Sequence, residues 1–264
     1  KGLTYFTYYN GSNLNIQDSG IIKKDGSITF AGKTKLLGGI YVLVLPDKRR
    51  VDFLIDKEQK IIINLDSADL VYKTVITGSK ENIVYQQYQK TVTTKGRLRD
   101  AEGKAYLAST TKADSILHEN KYNAYSNEMS VYRESIVKNQ PESMMASLLL
   151  AMKETPALMQ NPKTREDSAA NFYYYKKHFW DGVNFWDGRL AYSTLFEEKL
   201  DKYFAQLVVP HPDSIIKEMD WMLGTATINE EMTRFLLVKF INRYLNQKYM
   251  WEDAIFVHLF EKHF

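Results

Sequence analysis

The sequence predicts an α+β protein in two parts, an antiparallel β-sandwich or partly open barrel at residues 1–78 and an all-α helical bundle at residues 79–264. The first part contains a single glutamate, no methionine, 21 Val, Ile and Thr residues and eight of the 13 glycines. The second part contains the other 15 glutamates, all nine methionines and all four tryptophans. β-branched residues favour strands, whereas Glu and Met favour helices, so this shift in composition marks a change of fold class near Gly78.

Seven short runs of strand-forming residues make up the first part. They cover residues 3–9, 14–24, 28–30, 40–45, 51–55, 61–65 and 71–76. Short runs separated by turn pairs about every eight to twelve residues are typical of an antiparallel sheet. The pair Asp25-Gly26 is the strongest hairpin signal, because glycine there supplies the positive φ of a tight turn. The three isoleucines at positions 61–63 place apolar side chains on both faces of a strand, which predicts a central strand.

Beyond Gly78 the apolar residues recur with helical periodicity. Ser79 and Asn229 are placed to cap helices, and the helix after Asn229 is apolar on more than half of its circumference. Thr194 and Glu197 have the spacing of a capping box. Further helices are predicted over residues 125–136, 213–223 with Pro212 in the first turn, and 251–263.

The charge balance and the absence of cysteine exclude several functional classes. The net charge is +3, from 35 basic and 32 acidic residues, which is too even for a nucleic-acid-binding surface. Without cysteine the chain has no disulfide, no cysteine nucleophile and no thiolate metal ligand. No apolar run approaches the ~18 residues that a membrane-spanning helix needs. We therefore predict no nucleic-acid partner and no transmembrane segment.

The sequence carries no catalytic, cofactor-binding or metal-binding signature. The motifs G-x-G-x-x-G, G-x-x-x-x-G-K-[ST] and G-x-S-x-G are absent. His258 and His263 are five residues apart, so on a helix their rings point to different sides and do not converge on a metal. We predict that the chain is not an enzyme and binds no cofactor. The alternative is a hydrolase with carboxylates distributed over the helices, and Asp181, Asp187 and Glu197 are its candidates.

The densest aromatic segment repeats Phe-Trp-Asp-Gly, at residues 179–182 and again at 185–188. Aromatic side chains supply large rigid contact areas, so this loop is a candidate binding surface for a sugar, a peptide or a partner domain. The candidate residues are Phe179, Trp180, Phe185 and Trp186. The alternative is a packed loop between helices whose Asp-Gly turns are held by buried rings.

Two stretches of the chain resemble a known family. The segments DGSITFAG (25–32), GGIYVL (38–43) and FLID (53–56), with Gly78-Ser79 and Glu81-Asn82, resemble a β-domain of unknown function at the N-terminus of TlpA/ResA-like thiol–disulfide oxidoreductases of the Gram-negative cell envelope. The helical segment that follows it in such proteins is similar to a stretch that starts at Phe179. That stretch continues through Arg189-Leu190, Phe196, Leu200, His211-Pro212-Asp213-Ser214 and residues 254–259.

The resemblance implies an accessory, non-catalytic role. In that family a thioredoxin-like domain with Cys-x-x-Cys comes next, so we expect one after residue 264, as the chain's own partner. Thiol–disulfide exchange needs a thiolate, which these residues lack. The region is therefore expected to dock that domain or to present protein or peptide substrates to it. The resemblance also implies a periplasmic or outer-membrane-associated protein, with a secretion or lipoprotein signal outside this chain. One alternative is an envelope peptide- or glycan-binding module that uses the aromatic loop, and a second is the hydrolase.

The last predicted helix carries more apolar residues than one core contact uses. We predict that part of it stays exposed as a docking surface for the following domain, with Phe260 and Phe264 as the candidate residues. The alternative is that the helix is wholly buried against residues 235–244. A homodimer in which a second copy covers these rings is a further hypothesis.

Overall fold

The computed structural model of the chain describes residues 2–263. Within them, strands end at Thr77 and the first helix begins at Lys80. This change from strands to helices confirms the predicted α+β fold class and its antiparallel sheet.

The strands form one four-stranded and one two-stranded sheet. The larger sheet has the order β2-β1-β3-β4, with β1 at Leu3–Asn10, β2 at Asn13–Ile21, β3 at Gly39–Val44 and β4 at Arg50–Ile55. Strands β3 and β4 are antiparallel, in a register that pairs Tyr41 with Phe53. The smaller sheet pairs β5 (Ile62–Asn64) with β6 (Val75–Thr77), again antiparallel.

The larger sheet is stabilised by aromatic stacking between its strands and by an asparagine side chain that hydrogen-bonds its edge strand. The Phe6 ring lies 5.3 Å from the Tyr41 ring and 6.1 Å from the Phe53 ring, measured between centroids. The fully buried Asn82 side chain donates to the Leu54 carbonyl at 2.7 Å and accepts from the Leu54 N–H at 2.8 Å. Asn82 therefore satisfies the outward backbone groups of Leu54 on β4, which is an edge strand.

Two of the strand predictions are wrong. Gly26 adopts the expected turn at φ 82°, but residues 28–30 form no strand. The Asp25 carboxylate accepts from the Ser27 N–H at 2.9 Å, which closes the turn locally without a strand ladder. Strand β5, predicted as central, has one neighbouring strand, and Ile62 is 63% exposed. A short apolar run does not by itself distinguish a central strand from an exposed one.

Eight α-helices follow within the described part of the chain. They are α1 (Lys80–Ala108), α2 (Lys112–Asn139), α3 (Met144–Met152), α4 (Arg165–His178), α5 (Thr194–Gln206), α6 (Pro212–Ala226), α7 (Glu230–Leu245) and α8 (Asp253–His263). Short 3-10 turns lie at Gly188–Tyr192 and Met250–Glu252.

The predicted caps of α1 and α7 are confirmed, and one predicted capping box is wrong. Ser79 accepts from the N–H of Asn82, and Asn229 accepts from that of Met232. In α5 the first helical residue is Thr194 itself, so Ser193 occupies the N-cap position. Glu197 does not reach back to the start of the helix, because its carboxylate is bonded elsewhere.

Residue contacts divide the chain into two compact units, each described by itself. Unit 1 comprises Lys1–Phe6 and Asp18–Leu149, and unit 2 comprises Thr7–Gln17 and Leu150–Phe264. In unit 1, α1 and α2 pack along one another. In unit 2, α7 packs on α6 and α8 and buries one stripe of side chains at steps of four. That stripe is Met232, Leu236, Phe240 and Tyr244.

Across residues 2–263, no helix combines the length and the hydrophobicity that a bilayer-spanning segment requires.

Candidate functional site

The candidate site is a polar cleft within unit 2, with a volume of about 600 Å³. This volume lies within the range of roughly 300–1,000 Å³ that is usual for small-molecule sites. One wall is the end of the β1–β2 hairpin, residues 10–15, and the other is one face of α7. Ala191, Tyr192 and Glu197 line the cleft between these walls.

The hairpin wall depends on a glycine at the turn. Gly11 has φ 58°, in the left-handed region that glycine adopts without the steric cost of a Cβ. Its N–H donates to the carbonyl of Ala191 at 2.9 Å. A Cβ at this position would overlap the Glu197 carboxylate and crowd the Phe235 ring. The backbone of the turn is therefore fixed closely against the rest of unit 2.

Three asparagines project from this wall. Asn13 and Asn15 alternate along β2, so their side chains share one face of the strand. Asn10 and Asn13 flank the two-residue turn and lie opposite each other across the hairpin. All three line the polar cleft.

Glu197 anchors the hairpin to α5 and α7. Its side chain is buried, and its carboxylate accepts from the Ser12 N–H at 2.5 Å and from the Ser12 hydroxyl at 3.1 Å. It also forms an ion pair with Lys239 on α7. Burial alone would raise the pKa of Glu197, but the bonds from Lys239 and Ser12 outweigh it and hold the pKa below its ordinary value. Glu197 is therefore ionised at neutral pH and acts only as an acceptor.

A second network of hydrogen bonds lines the polar cleft. The Tyr192 hydroxyl donates to the Glu231 carboxylate at 2.5 Å, and Arg234 donates to the same oxygen at 2.6 Å. Burial and then the bond to Glu231 raise the pKa of Tyr192 to about 12. The hydroxyl is therefore protonated at neutral pH and serves to hold Glu231 in place.

The α7 wall presents residues at helical spacing. Glu231, Arg234, Val238 and Asn242 follow one another at steps of three and four, which places them on one face of the helix. Asn242 adds a fourth amide to those of the hairpin. Among residues 2–263, no side chain or backbone group hydrogen-bonds the side-chain amides of these four asparagines. The polar cleft thus contains four unengaged amides, two carboxylates and two cations.

The aromatic loop predicted as a binding surface packs into the protein. Phe179 and Phe185 are 2% and 4% exposed. The Trp180 ring lies 5.3 Å from Phe185 and 5.2 Å from Tyr203, between centroids. Trp186 is 55% exposed, and its indole N–H donates to the Thr225 carbonyl at 2.8 Å. Phe179 and Phe185 therefore face the interior, which corresponds to the packed-loop alternative.

The carboxylates named for a hydrolase each have a separate partner. Asp181 is bonded to His178 at 2.7 Å. Asp187 caps the first 3-10 turn and forms an ion pair with Arg189 at 2.7 Å. Of the three candidates, Glu197 is the one that lines the polar cleft. No group of three or more His, Asp or Glu side chains within residues 2–263 is arranged to hold a metal ion.

The last helix, α8, buries one face and exposes another. Ile255 and Leu259 are fully buried, whereas Val257 is 41% and Phe260 57% exposed. The Phe260 ring stacks on Phe256 with centroids 6.3 Å apart. The second predicted docking residue, Phe264, lies outside the described residues. That a following domain or a second copy covers Phe260 stays a prediction.

Sequence reasoning did not identify the polar cleft. Its signal was present in residues 10–15, where three of six positions are asparagine beside a turn glycine. The cleft also requires Ser12 and Glu197 to meet across 185 positions of sequence, a contact that no local pattern contains.

Comparison with protein-family models gives two matches. Residues 1–85 match DUF4369 and residues 109–264 match DUF5106, each described as a domain of unknown function. These matches support a β-domain and a helical domain, each of unknown function, and they give no link to a thioredoxin-like oxidoreductase. No significant match was found among curated proteins or solved structures. Because the second match spans more than half of the residues, the chain belongs to the DUF5106 family and carries a DUF4369 domain at its N-terminus.

Proposed function

We propose that the chain is a non-catalytic binding module that holds an uncharged, polar ligand in the polar cleft. The observation that carries the proposal is that four asparagines with unengaged side-chain amides line one cavity of ligand size. Each amide offers two donors and one acceptor group, and none of the four amides is used by a neighbouring residue of the described chain. A polar ligand can occupy these groups in place of water.

The carboxylates of the polar cleft support binding over hydrolysis. A general acid needs a pKa near the working pH, so that it holds a proton which it can donate. The pKa of Glu197 is lowered, and its oxygens accept from Ser12 and Lys239. Glu231 is held by Tyr192 and Arg234. Both carboxylates therefore serve to fix the walls of the cleft.

The accessory role expected from the resemblance is the second part of this proposal. In that form the module presents a bound substrate to a thioredoxin-like partner in the cell envelope. Its structural support is the exposure of Phe260 on α8, one of the two residues predicted for docking. Titration with a separately produced thioredoxin-like domain tests this part. If the domain does not bind, the accessory role is wrong, and the proposal that the polar cleft binds a ligand is unaffected.

A steric block of the polar cleft tests the binding function for any class of ligand. Val238 lines the cleft and is 52% exposed on α7, so Val238→Trp is expected to fill the cavity with little effect on the core. The matched control is Val131→Trp, at a 57% exposed valine on α2. The probes are neutral oligosaccharides and uncharged peptides, added to the intact chain in thermal unfolding.

We expect at least one probe to raise Tm for the native chain and for V131W, but not for V238W. A ligand at about 100 times its Kd adds ~2.7 kcal/mol, and at roughly 2–4 °C per kcal/mol the expected rise is about 5–10 °C. The binding function is rejected if no probe raises Tm for the native chain, or if V238W retains the full rise.

A further inference from the structure

We infer that the ligand of the polar cleft is a neutral carbohydrate, a short glycan whose hydroxyl groups pair with the four asparagine amides. This inference rests on the proposed binding function and specifies the class of ligand.

The chemistry of the amides matches that of sugar hydroxyls. Each hydroxyl of a sugar is both a donor and an acceptor, and neighbouring hydroxyls stand side by side on the ring. An asparagine amide carries its acceptor oxygen and its donor nitrogen side by side in one plane, so it can pair with two adjacent hydroxyls at once. Asn10, Asn13 and Asn15 provide such amides on the hairpin wall, and Asn242 provides one on α7. A ring bound between the walls meets amides from both sides.

The apolar part of the lining also fits a sugar ring. Phe235 and Val238 on α7 line the same cavity as the amides. Phe235 is half-buried and lies beside the turn glycine, Gly11. The C–H groups on one face of a pyranose ring need such a surface, while its hydroxyls point outward to polar groups.

The charges of the polar cleft disfavour an anionic ligand. Arg234 is paired with Glu231 at 2.6 Å, and Lys239 is paired with Glu197. The two cations and two carboxylates that line the cavity therefore sum to zero. A phosphate or carboxylate ligand would have to compete with these internal pairs for its counter-charge.

An extended peptide is the competing class of ligand. Strand β2 is an edge strand of its sheet, and edge strands bind peptides through their backbone groups. In that mode of binding the main hydrogen bonds run between backbone groups, so it does not require a side-chain amide from a second element. Asn242, which lies on α7 and not on the strand, therefore discriminates the two classes.

The experiment measures Kd by calorimetry for the intact chain with two probe sets. One set contains neutral gluco-, manno-, galacto-, xylo- and N-acetylglucosamine oligosaccharides, and the other contains uncharged peptides. Variants Asn13→Ala and Asn242→Ala remove one amide from each wall. Asn123→Ala is the control, because Asn123 is an exposed helical residue of α2, as Asn242 is of α7.

We expect an oligosaccharide to bind, with Kd raised about fivefold by N13A and by N242A and unchanged by N123A. The factor corresponds to ~1 kcal/mol for each lost hydrogen bond. Since the ligand is neutral, Kd should change less than twofold between 50 and 500 mM salt, a range over which exposed charge pairs are screened.

Two other outcomes overturn the inference in different ways. If peptides bind in a V238W-sensitive manner while no oligosaccharide binds, the carbohydrate assignment is wrong and the binding function stands. If neither set binds, both the assignment and the binding function are wrong. An oligosaccharide whose Kd is unaffected by N13A and N242A also contradicts the assignment, because the amides would then not contact it.

Discussion

The aromatic loop at residues 179–188 and the hairpin end at residues 10–15 belong to the same unit but use their side chains in opposite ways. In the loop, the Phe179 and Phe185 rings are buried while Trp186 is half-exposed, and Asp187 caps its own 3-10 turn. In the hairpin end, the backbone is held by Ala191 and Glu197, while the amide side chains have no partner in the described chain. We therefore place the proposed ligand site at the hairpin end, where a fixed backbone carries unengaged polar groups.

The largest effect is expected from the aromatic loop. Phe185→Ala removes a ring that is 4% exposed and contacts Trp180, Phe196 and Trp221, so we expect a loss of about 3–5 kcal/mol in the free energy of unfolding. Urea unfolding measures it. The half-exposed Trp186 is the control, and Trp186→Ala should cost clearly less. A loss below 1 kcal/mol for F185A would contradict the packed interior of the loop.

The next effect tests how closely the hairpin end is held. In Gly11→Ala the new Cβ sits on a backbone with positive φ and overlaps Glu197 and Phe235. We therefore expect a loss of about 2–4 kcal/mol in the free energy of unfolding. Gly26 also has a positive φ, but nothing lies within 4 Å of the position of its Cβ. Gly26→Ala should therefore cost only about 1–2 kcal/mol. If thermal unfolding shows that G11A and G26A lose the same stability, the hairpin end is not packed against α5.

The anchor of the hairpin end is tested by Glu197→Gln. The substitution leaves the half-buried Lys239 without its main counter-charge, so we expect a loss of about 2–3 kcal/mol. The neighbouring Glu198 is exposed, and Glu198→Gln should change stability by less than about 0.5 kcal/mol. If the two variants unfold at the same urea concentration, Glu197 is not an anchor.

The same anchor predicts a pH dependence. The pKa of Glu197 is lowered in the folded chain, so its stabilising effect is complete above its ordinary value of 4.5 and is lost as pH falls through the folded pKa. The stability difference between the native chain and E197Q should therefore be constant near neutral pH and shrink below about pH 4.5. Urea unfolding at a series of pH values measures it, with E198Q in parallel. A difference that grows on acidification would reverse the assigned direction of the pKa shift.

The smallest effect on stability is expected from substitution of the asparagines that line the polar cleft. Because no described residue bonds the side chain of Asn242, Asn242→Ala should leave the free energy of unfolding within about 0.5 kcal/mol of the native value. Asn171 offers the contrast, since its amide bonds both backbone groups of Met159 at 2.8 Å. Asn171→Ala should cost about 1–3 kcal/mol. A comparable loss for N242A would mean that the protein uses the amide for its own fold.

The fold class could be predicted because composition and periodicity are local properties. Ser79 and Asn229 were identifiable as caps, since a cap depends on residues at most three positions away. The role of Glu197 as an anchor could not be predicted. Its spacing from Thr194 fits a capping box, while its real partners, Ser12 and Lys239, are distant in sequence. Aromatic density did not distinguish the two interpretations of residues 179–188, since rings are enriched both in cores and in binding surfaces.

One amide in unit 1 shows how the protein protects a sheet from unwanted growth. Near the end of β4, Asn82 occupies the outward N–H and carbonyl of Leu54 together, as a neighbouring strand would. A second chain that approached this edge would find no free pair of groups at that position to begin a ladder. Many proteins block such templating with charge or proline. Here a single buried side chain takes the place of the missing strand at Leu54, so another chain cannot begin a ladder at that position.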